Sequence, residues 1–191
     1  MRRSCHAAVV AALLPPDPPL AATRVTLRPF RLDDAAAVAE ACKDPSIPEF
    51  TMMANDLSEE DARQWIARGL EWWPRGVARF AVTLPPDDTC VGQMGIQFDA
   101  PLRRAEAFYW LAPHVRGNGI ATEALELVIA WAFRSKGVVR VQLVTHLDNA
   151  ASQQVAVRCG FHREGILRAW EPVKATQPDV IMWSRLATDA S

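Results

Sequence analysis

Short apolar runs alternate with polar, proline-rich or glycine-rich segments along most of the chain. Apolar runs with turn-forming residues at their ends predict strands at residues 24–30, 78–84, 90–98, 105–111, 140–146, 161–167 and 180–186. Apolar positions at helical spacing, with polar caps, predict helices at residues 31–43, 58–73, 121–136 and 150–159. This order predicts a single α/β domain in which helices cover a sheet, without an internal repeat.

The sequence Arg-Gly-Asn-Gly-Ile-Ala at residues 116–121 joins a predicted strand to a long predicted helix. The first N–H groups of a helix have no partner inside it, and the helix dipole makes that end positive. Gly117 and Gly119 allow close approach of the main chain and positive φ, and Arg116 adds a forked positive charge. The junction therefore favours a pyrophosphate-binding turn and hence a cofactor. On this hexapeptide alone, a tight turn without a ligand stays open.

Two common nucleotide-binding motifs are incomplete or absent at this junction. Thr122 stands where the dinucleotide fingerprint needs its third glycine. The chain contains no Gly-Lys-Ser or Gly-Lys-Thr tripeptide, which a nucleoside-triphosphate loop needs. The junction is therefore neither of these two motifs. Their absence does not decide whether a phosphate group binds here.

A second motif follows the predicted strand at residues 140–146. Asn149 is a good N-cap, and Gly160 is a good residue just beyond the end of the short helix between them. The whole region resembles the acetyl-CoA-binding core of the GNAT acetyltransferase superfamily, and more narrowly the branch that includes the RimJ and RimL ribosomal-protein N-terminal acetyltransferases. The narrower resemblance depends on Tyr109-Trp110-Leu111, residues 116–124, residues 148–152 and Gly160-Phe161.

The resemblance implies a GNAT fold, with a mixed, mostly antiparallel sheet of six to seven strands and about four flanking helices. In that fold the fourth and fifth strands splay apart, here residues 105–111 and 140–146. The pantetheine arm of acetyl-CoA would lie in the gap and pair with the edge of the fourth strand. The implied cofactor-binding residues are Leu111, Ala112, Val115, Arg116, Gly117, Asn118, Gly119, Ile120, Ala121, Asn149 and Ser152.

Glu106 is the residue that the resemblance implies as the general base. It resembles the glutamate of the Glu-x-Gly-Tyr-Trp-Leu run of the Rim branch, with Ala107-Phe108 in place of the intervening pair. It would act on the amine through a water molecule. The alternative is a strand-edge charge that faces solvent. His146, at the end of the strand facing the gap, is a second candidate base or a packed, hydrogen-bonded histidine.

Ser152 is the residue that the resemblance implies as the acid. Many GNAT enzymes carry a tyrosine one turn before the Gly-Phe pair, but that position is Ala156 here, and the sole tyrosine, Tyr109, lies on another strand. In the Rim branch a serine three residues after the asparagine is thought to protonate the leaving thiolate, and Ser152 occupies that place. Alternatively, Ser152 only satisfies a free N–H in the first turn of the helix.

Charge and cysteine content narrow the classes of partner. The 191 residues carry a formal net charge of −1, and the basic residues are dispersed, so no nucleic-acid partner is expected. No apolar stretch is long enough for a membrane span. The four cysteines, Cys5, Cys42, Cys90 and Cys159, lack C-x-x-C or metal-ligand spacing. Reduced thiols, no bound metal and a cytoplasmic location are therefore expected.

Residues 1–22 differ in composition from the remainder. An alanine-rich stretch runs into Pro15-Pro16-Asp17-Pro18-Pro19, which favours a disordered extension over a secretory signal peptide. The folded N-acetyltransferase domain is predicted to span residues 23–187.

The sequence therefore predicts an enzyme that moves an acetyl group directly from acetyl-CoA to a primary amine, either a protein N-terminal α-amine or a small amine. One alternative is a non-catalytic acyl-CoA-binding sensor or scaffold, which the missing tyrosine at Ala156 allows. Another is a different donor, such as succinyl-CoA, with a metabolite or antibiotic amine as acceptor. A homodimer is compatible with the sequence, which does not decide the oligomeric state.

Overall fold

The computed structural model describes residues 12–189. Their strands form one eight-stranded sheet in the order β1-β2-β3-β4-β5-β6-β8-β7. Only β5 and β6 pair in parallel, and all other neighbours are antiparallel. The strands are β1 (Leu20–Ala21), β2 (Thr26–Pro29), β3 (Val77–Leu84), β4 (Thr89–Asp99), β5 (Arg104–Leu111), β6 (Arg140–His146), β7 (His162–Leu167) and β8 (Val180–Leu186).

The sheet has one strand more than the six to seven predicted. The additional β1 pairs with the edge of β2, with Leu20 opposite Leu27. The prediction of a disordered extension over residues 1–22 is therefore wrong for its described part, residues 12–22. Leu13 is buried in the core, and Leu20 packs against that core. Apolar side chains that find a core surface offset the entropy of ordering the chain. Residues 1–11 lie outside the described residues.

The predicted separation of two central strands is confirmed. β5 and β6 are paired only from Arg104 opposite Arg140 to Glu106 opposite Gln142. Beyond that point, residues 107–111 and 143–146 run on without pairing to each other. The gap starts directly after Glu106, so the fold brings this carboxylate to its inner end.

The helices match the predicted ones, with one addition. They are α1 (Ala35–Ala41), α2 (Ser46–Phe50), α3 (Glu59–Leu70), α4 (Ile120–Lys136) and α5 (Ala150–Arg158). The short α2 lies between the first two predicted helices, in a segment for which no helix was predicted. Pro45 is the N-cap of α2 and Pro48 lies in its first turn, where the missing N–H of proline costs nothing.

The two faces of the sheet are covered by different helices. Phe80 of β3 packs edge-on against Trp131 of α4, with ring centroids 5.6 Å apart. The adjacent Arg79 points to the other face, where its guanidinium lies over Trp65 of α3. Strand side chains alternate between faces, so the positions of the polar residues on β3, β4 and β5 follow from the register. Among the described residues, no helix is long and apolar enough to cross a membrane.

Candidate active site

The glycine turn between β5 and α4 presents free main-chain donors. Gly117 and Gly119 adopt left-handed conformations, with φ of 78° and 77°, which glycine reaches without steric cost. The first hydrogen bond of α4 runs from the N–H of Glu123 to the carbonyl of Gly119, at 3.0 Å. Within residues 12–189, the N–H groups of Gly117, Gly119 and Ile120 have no partner. They form a group of donors that suits an anion at a positive helix end.

An ion pair from the N-terminal part of the domain holds this turn in place. Arg24 binds the Glu123 carboxylate at 2.8 Å and donates to the carbonyl of Asn118 at 2.7 Å. Glu123 lies in the first turn of α4, where its charge is also favourable to the helix dipole. The turn is therefore fixed by contacts on its outer side, which leaves its N–H groups available on the inner side.

Arg116 is anchored to the protein itself. Its Nε donates to the carbonyl of Leu111 at 2.9 Å, and its Nη1 donates to the hydroxyl of Ser46 in α2 at 2.9 Å. The Asp44 carboxylate lies 3.3 Å from its Nη2. The pKa of Asp44 is lowered, mainly by the Ser46 hydroxyl and further by the Arg116 charge. Arg116 thus connects the end of β5 to α2, and the phosphate contact predicted for it remains a prediction.

A cavity of about 430 Å³ runs from the glycine turn into the gap between β5 and β6. We call it the first cavity. Of the predicted cofactor-binding residues, most line it: Leu111, Val115, Arg116, Gly117, Gly119, Ile120, Ala121, Asn149 and Ser152.

Two predicted cofactor-binding residues do not line the first cavity. The N–H of Ala112 donates to the carbonyl of Val91 in β4 at 2.8 Å, so it faces the sheet interior instead of the gap. The side-chain amide of Asn118 turns back to the carbonyl of Arg116 at 3.3 Å. Both residues shape the turn, and their contacts with the coenzyme stay predictions.

A second cavity of about 500 Å³ lies on the α3 side of the sheet. It contains Glu106 and His146, the two candidate bases. The residues shared by both cavities mark their junction, and they are Phe50, Thr51, Tyr109, Trp110, Asn149 and Ser152. The fold therefore places the cavity at the glycine turn beside the cavity of the candidate bases, with these residues as their common lining.

Glu106 faces the second cavity and is not a solvent-facing edge charge. Its side chain is partly buried and accepts a hydrogen bond from Gln142 Nε2 at 2.8 Å. Burial raises the pKa of Glu106, the Gln142 bond opposes this, and the charge of Glu171 adds to the rise. A carboxylate with a raised pKa is a better proton acceptor than an exposed one, which is the property that a general base needs.

His146 lies at the end of β6 and packs edge-on against Phe50, with ring centroids 5.3 Å apart. Its main-chain carbonyl accepts from the Gln153 side chain at 3.2 Å. The imidazole lines the second cavity beside the junction, so it remains the alternative base.

Asn149 and Ser152 have separate roles at the start of α5. The Asn149 side chain accepts from the N–H of Ser152 at 3.0 Å, which confirms the predicted N-cap. Because this cap satisfies the N–H of Ser152, the serine hydroxyl is not needed for it. The Ser152 side chain is half-buried at the junction of the cavities.

Tyr109 is a site residue that the sequence reasoning set aside. Its hydroxyl is buried without a hydrogen-bond partner within residues 12–189. Burial raises the pKa of Tyr109 to about 12, and the neighbouring Ser152 lowers it to a smaller extent. The two side chains are thus close without forming a hydrogen bond of normal geometry. The Tyr-Trp-Leu motif pointed to this position, but β5 and α5 had to be placed side by side to reveal it.

The cysteines of the described residues are buried thiols. Burial raises the pKa of Cys42 to about 11 and that of Cys90 and Cys159 to about 12, so their thiols stay protonated at neutral pH. Cys5 lies outside the described residues. Within residues 12–189, no group of three or more His, Cys, Asp or Glu side chains is arranged to hold a metal ion.

Comparison with known proteins identifies the class to which this fold and site belong. A family model described as the acetyltransferase (GNAT) domain matches residues 24–162. The chain therefore belongs to the GNAT acetyltransferase family, and it is an N-acetyltransferase. The family resemblance inferred from the two motifs is confirmed.

Particular relatives support the narrower branch. The N-acetyltransferase p20 of Bacillus licheniformis is 29% identical over 165 residues, 85% of this chain and 93% of that protein. The ribosomal-protein-serine acetyltransferase of Escherichia coli K12 is 32% identical over 130 residues, 68% of this chain and 72% of that protein. The structure of Mycobacterium smegmatis RimJ in complex with CoA-disulfide aligns with a TM-score of 0.79 at 25% identity, over 87% of this chain and 83% of that one. The chain is therefore RimJ/RimL-like.

Proposed function

We propose that this N-acetyltransferase uses acetyl-CoA as donor and acetylates a primary amine by direct transfer, with donor and acceptor bound together. The observation that carries the proposal is the junction of the cavities. Free N–H groups of the glycine turn lie at the first cavity, and the Glu106 carboxylate lines the second cavity, which shares lining residues with the first. Donor and acceptor can therefore enter from opposite sides and meet beside Tyr109 and Ser152.

The glycine turn fits the pyrophosphate of coenzyme A. The N–H groups around Gly117 and Gly119 would bind it, and Leu111 and Asn149 would contact the pantetheine arm in the gap. The thioester supplies an activated acetyl carbon. RimJ of Mycobacterium smegmatis was solved with a CoA-disulfide, which agrees with a coenzyme A ligand in this fold.

Glu106 would accept the proton that the amine loses, directly or through a water molecule. The nitrogen would then form its bond to the acetyl carbon as the carbon–sulfur bond breaks, and the Ser152 hydroxyl would give a proton to the departing sulfur. Solvent then returns a proton to Ser152 and takes one from Glu106, which restores both groups. The Tyr109 hydroxyl, which keeps its proton at neutral pH, is a second donor at the same place. An α-amine loses its proton near pH 7.7–8.0 and a lysine amine only near about 10.4, so an α-amine asks less of Glu106.

A protein N-terminal α-amine is the acceptor that we favour over a small amine. The E. coli relative is named for acetylation of a ribosomal-protein serine, which supports this choice. We expect cleavage of acetyl-CoA, seen as free thiol, with N-terminal peptides, and a matching mass increase of the peptide. Small amines such as aminoglycosides form the comparison panel, and succinyl-CoA tests the donor.

The same assay separates the proposal from a sensor. Binding of acetyl-CoA without thiol release over the whole amine panel would contradict catalysis and favour a coenzyme-A-binding sensor. Thiol release with succinyl-CoA but not with acetyl-CoA would contradict the donor only.

A further inference from the structure

The second cavity holds an arginine that the protein leaves unpaired. Arg79 of β3 lines this cavity, and its guanidinium carbon lies 5.5 Å and 5.9 Å from the ring centroids of Trp65 and Trp72. Its Nε is buried without a hydrogen-bond partner, and within residues 12–189 no carboxylate pairs with it. In contrast, the buried Arg28 of β2 binds Asp34 at 2.8 Å and Asp88 at 2.9 Å.

An unpaired guanidinium in such a place is costly. Burial lowers the pKa of Arg79, yet an arginine keeps its charge in any protein environment. The two tryptophan rings offset part of the desolvation, but a ring gives no hydrogen-bond acceptor to the guanidinium N–H groups. The donors of Arg79 are therefore available to an acceptor group that enters the cavity.

Two side-chain amides surround the same point. Arg79 lies opposite Gly95, against which the Phe108 ring packs, and the diagonal neighbours on β4 are Gln93 and Gln97. Both glutamines line the second cavity, and the Oε1 of Gln93 is buried without a partner. Diagonal neighbours on one sheet face are within reach of long side chains. The amide N–H groups can thus add donors beside the guanidinium.

The cavity has opposite charges at two ends. Arg79 pairs with Gly95, and Gly95 pairs with Phe108, so the side chains at these positions share one face of the sheet. Glu106, which pairs with Gln97, lies two residues from Phe108 on β5 and therefore projects from the same face. The two residues are separated by two strand spacings of ~4.8 Å across the sheet and by two residues of ~3.3 Å along the strand. On an ideal sheet their Cα atoms therefore lie about 12 Å apart. An acceptor with an amine and an anionic group a few bonds apart fits between these ends.

We infer that the acceptor carries a carboxylate close to its reactive amine, and that Arg79 binds this carboxylate while the amine faces Glu106. This inference rests on the proposed function, since it names the acceptor of the same site. A carboxylate matches the planar fork of arginine and satisfies two of its donors together. It can come from an acidic side chain near a peptide N-terminus or from a small amino acid.

The test uses acceptors that differ only in this charge. One pair is an N-terminal peptide with aspartate at its second position and the same peptide with asparagine. The other pair is β-alanine and its amide, which separates the small-molecule source from the peptide source. Because a charge-assisted hydrogen-bond pair stabilises the bound acid, we expect the KM of the acid in the favoured pair to be about 10- to 100-fold lower than that of its amide.

Variants assign this preference to Arg79. Arg79→Gln should remove the difference in KM within the pair, with kcat for the amide acceptor little changed. Arg79→Lys keeps the charge but loses the fork, so it should retain a part of the preference. Arg75→Gln is the matched control, because Arg75 is exposed, lies 5.6 Å from the same Trp72 ring and is outside the cavity lining.

Each outcome decides the inference. Equal KM values for acid and amide in both pairs would overturn it and leave the acetyltransferase proposal intact. A preference that survives in Arg79→Gln and Arg79→Lys would overturn the assignment to this residue. If Arg79→Gln does not fold, Arg79→Lys and the wild-type pairs still decide. If no acceptor is acetylated, the proposed function fails, and calorimetric binding of the two peptides to the CoA-saturated protein tests the inference alone.

Discussion

The two cavities that meet between β5 and β6 are built from different parts of the chain. Half of the residues that line the first cavity come from one continuous segment, from the end of β5 through the glycine turn into α4, and the others come from the region of α2 and from α5 with its cap. The second cavity is lined by side chains from β3, β4, β5, β6 and the loop before β8. Ligand binding by main-chain groups therefore depends on a local segment of the sequence, whereas ligand binding by side chains depends on the register of strands that are far apart in the chain.

This difference suggests how the protein can keep its donor and change its acceptor. Main-chain N–H groups at a helix start survive most substitutions, because no side chain supplies them. Residues such as Arg79, Gln93 and Glu171 can be replaced one at a time without disturbing the glycine turn. Substitutions in the second cavity should thus alter acceptor use or turnover and leave coenzyme binding unchanged.

The largest expected effect comes from Glu106→Gln. A general base contributes about 10²- to 10⁴-fold, so kcat should fall by that range while the affinity for acetyl-CoA stays the same. Turnover assays and calorimetry measure the two quantities separately. The matched control is His146→Gln, which removes the alternative base. If His146→Gln shows the larger loss, the base is the histidine and the role of Glu106 is contradicted.

Ser152→Ala should have the next largest effect. We expect kcat to fall about 100-fold, at the low end for proton transfer, because a leaving thiol with a pKa of about 8.5 departs partly without help. Tyr109→Phe removes the neighbouring hydroxyl and should cost less. If Tyr109→Phe lowers kcat more than Ser152→Ala does, the acid is Tyr109. The lack of a tyrosine at the Ala156 position would then not decide which residue is the acid.

Much of the first cavity could be predicted from the sequence. The positive φ of Gly117 and Gly119, the start of α4 and the Asn149 cap follow from residue types with strong local preferences. The orientation of Ala112 and Asn118 does not follow from such local preferences. Whether an N–H faces the gap or the neighbouring strand depends on the pairing with Val91, which no local pattern gives.

The sequence predicts the two candidate bases of the second cavity, Glu106 and His146, but not the contacts of the side chains around them. The Gln142 side chain reaches Glu106 only because β5 and β6 pair in parallel over three residues, and these two residues are 36 positions apart. The guanidinium of Arg79 looks like an exposed strand charge until α3 places Trp65 over it. Sequence periodicity gives the face on which a residue lies, but the partner that covers it is a tertiary fact.

Gly117→Ala should have a smaller effect, and it probes the first cavity alone. An alanine at φ 78° is strained by about 1–2 kcal/mol, and relaxation of the turn moves its N–H groups away from a bound anion. We expect the dissociation constant for CoA to rise about 10-fold, with KM values for acceptors unchanged. Gly137→Ala at the other end of α4 is the matched control, since Gly137 has φ 64° and, like Gly117, no atom within 4 Å of an added Cβ.

Both glycine variants should lose similar stability in a thermal melt. Only Gly117→Ala should bind CoA less tightly in calorimetry. Equal CoA affinity in the two variants would contradict the contact between the glycine turn and the coenzyme, and with it the division of labour between the cavities.

The smallest expected effect is a pH dependence of stability, and it opposes the pH dependence of activity. The pKa of Glu106 is raised in the folded protein, mainly by burial. Near the ordinary glutamate value of about 4.3 and below it, both states hold the proton, and the wild-type protein keeps its full stability. As pH rises through the folded pKa, the unfolded chain has already released its proton, so the free energy of unfolding falls relative to Glu106→Gln.

Over the same pH range kcat/KM should rise, because the base becomes available only when Glu106 loses its proton. Urea unfolding of the two proteins and a kcat/KM profile of the wild type measure both trends. A stability difference that does not change with pH would contradict the raised pKa, whereas a rise in kcat/KM without the matching loss of stability would assign the titration to another group. If both trends appear together, the second cavity gains its reactive carboxylate at the expense of stability, a cost that a turn made of main-chain donors does not carry.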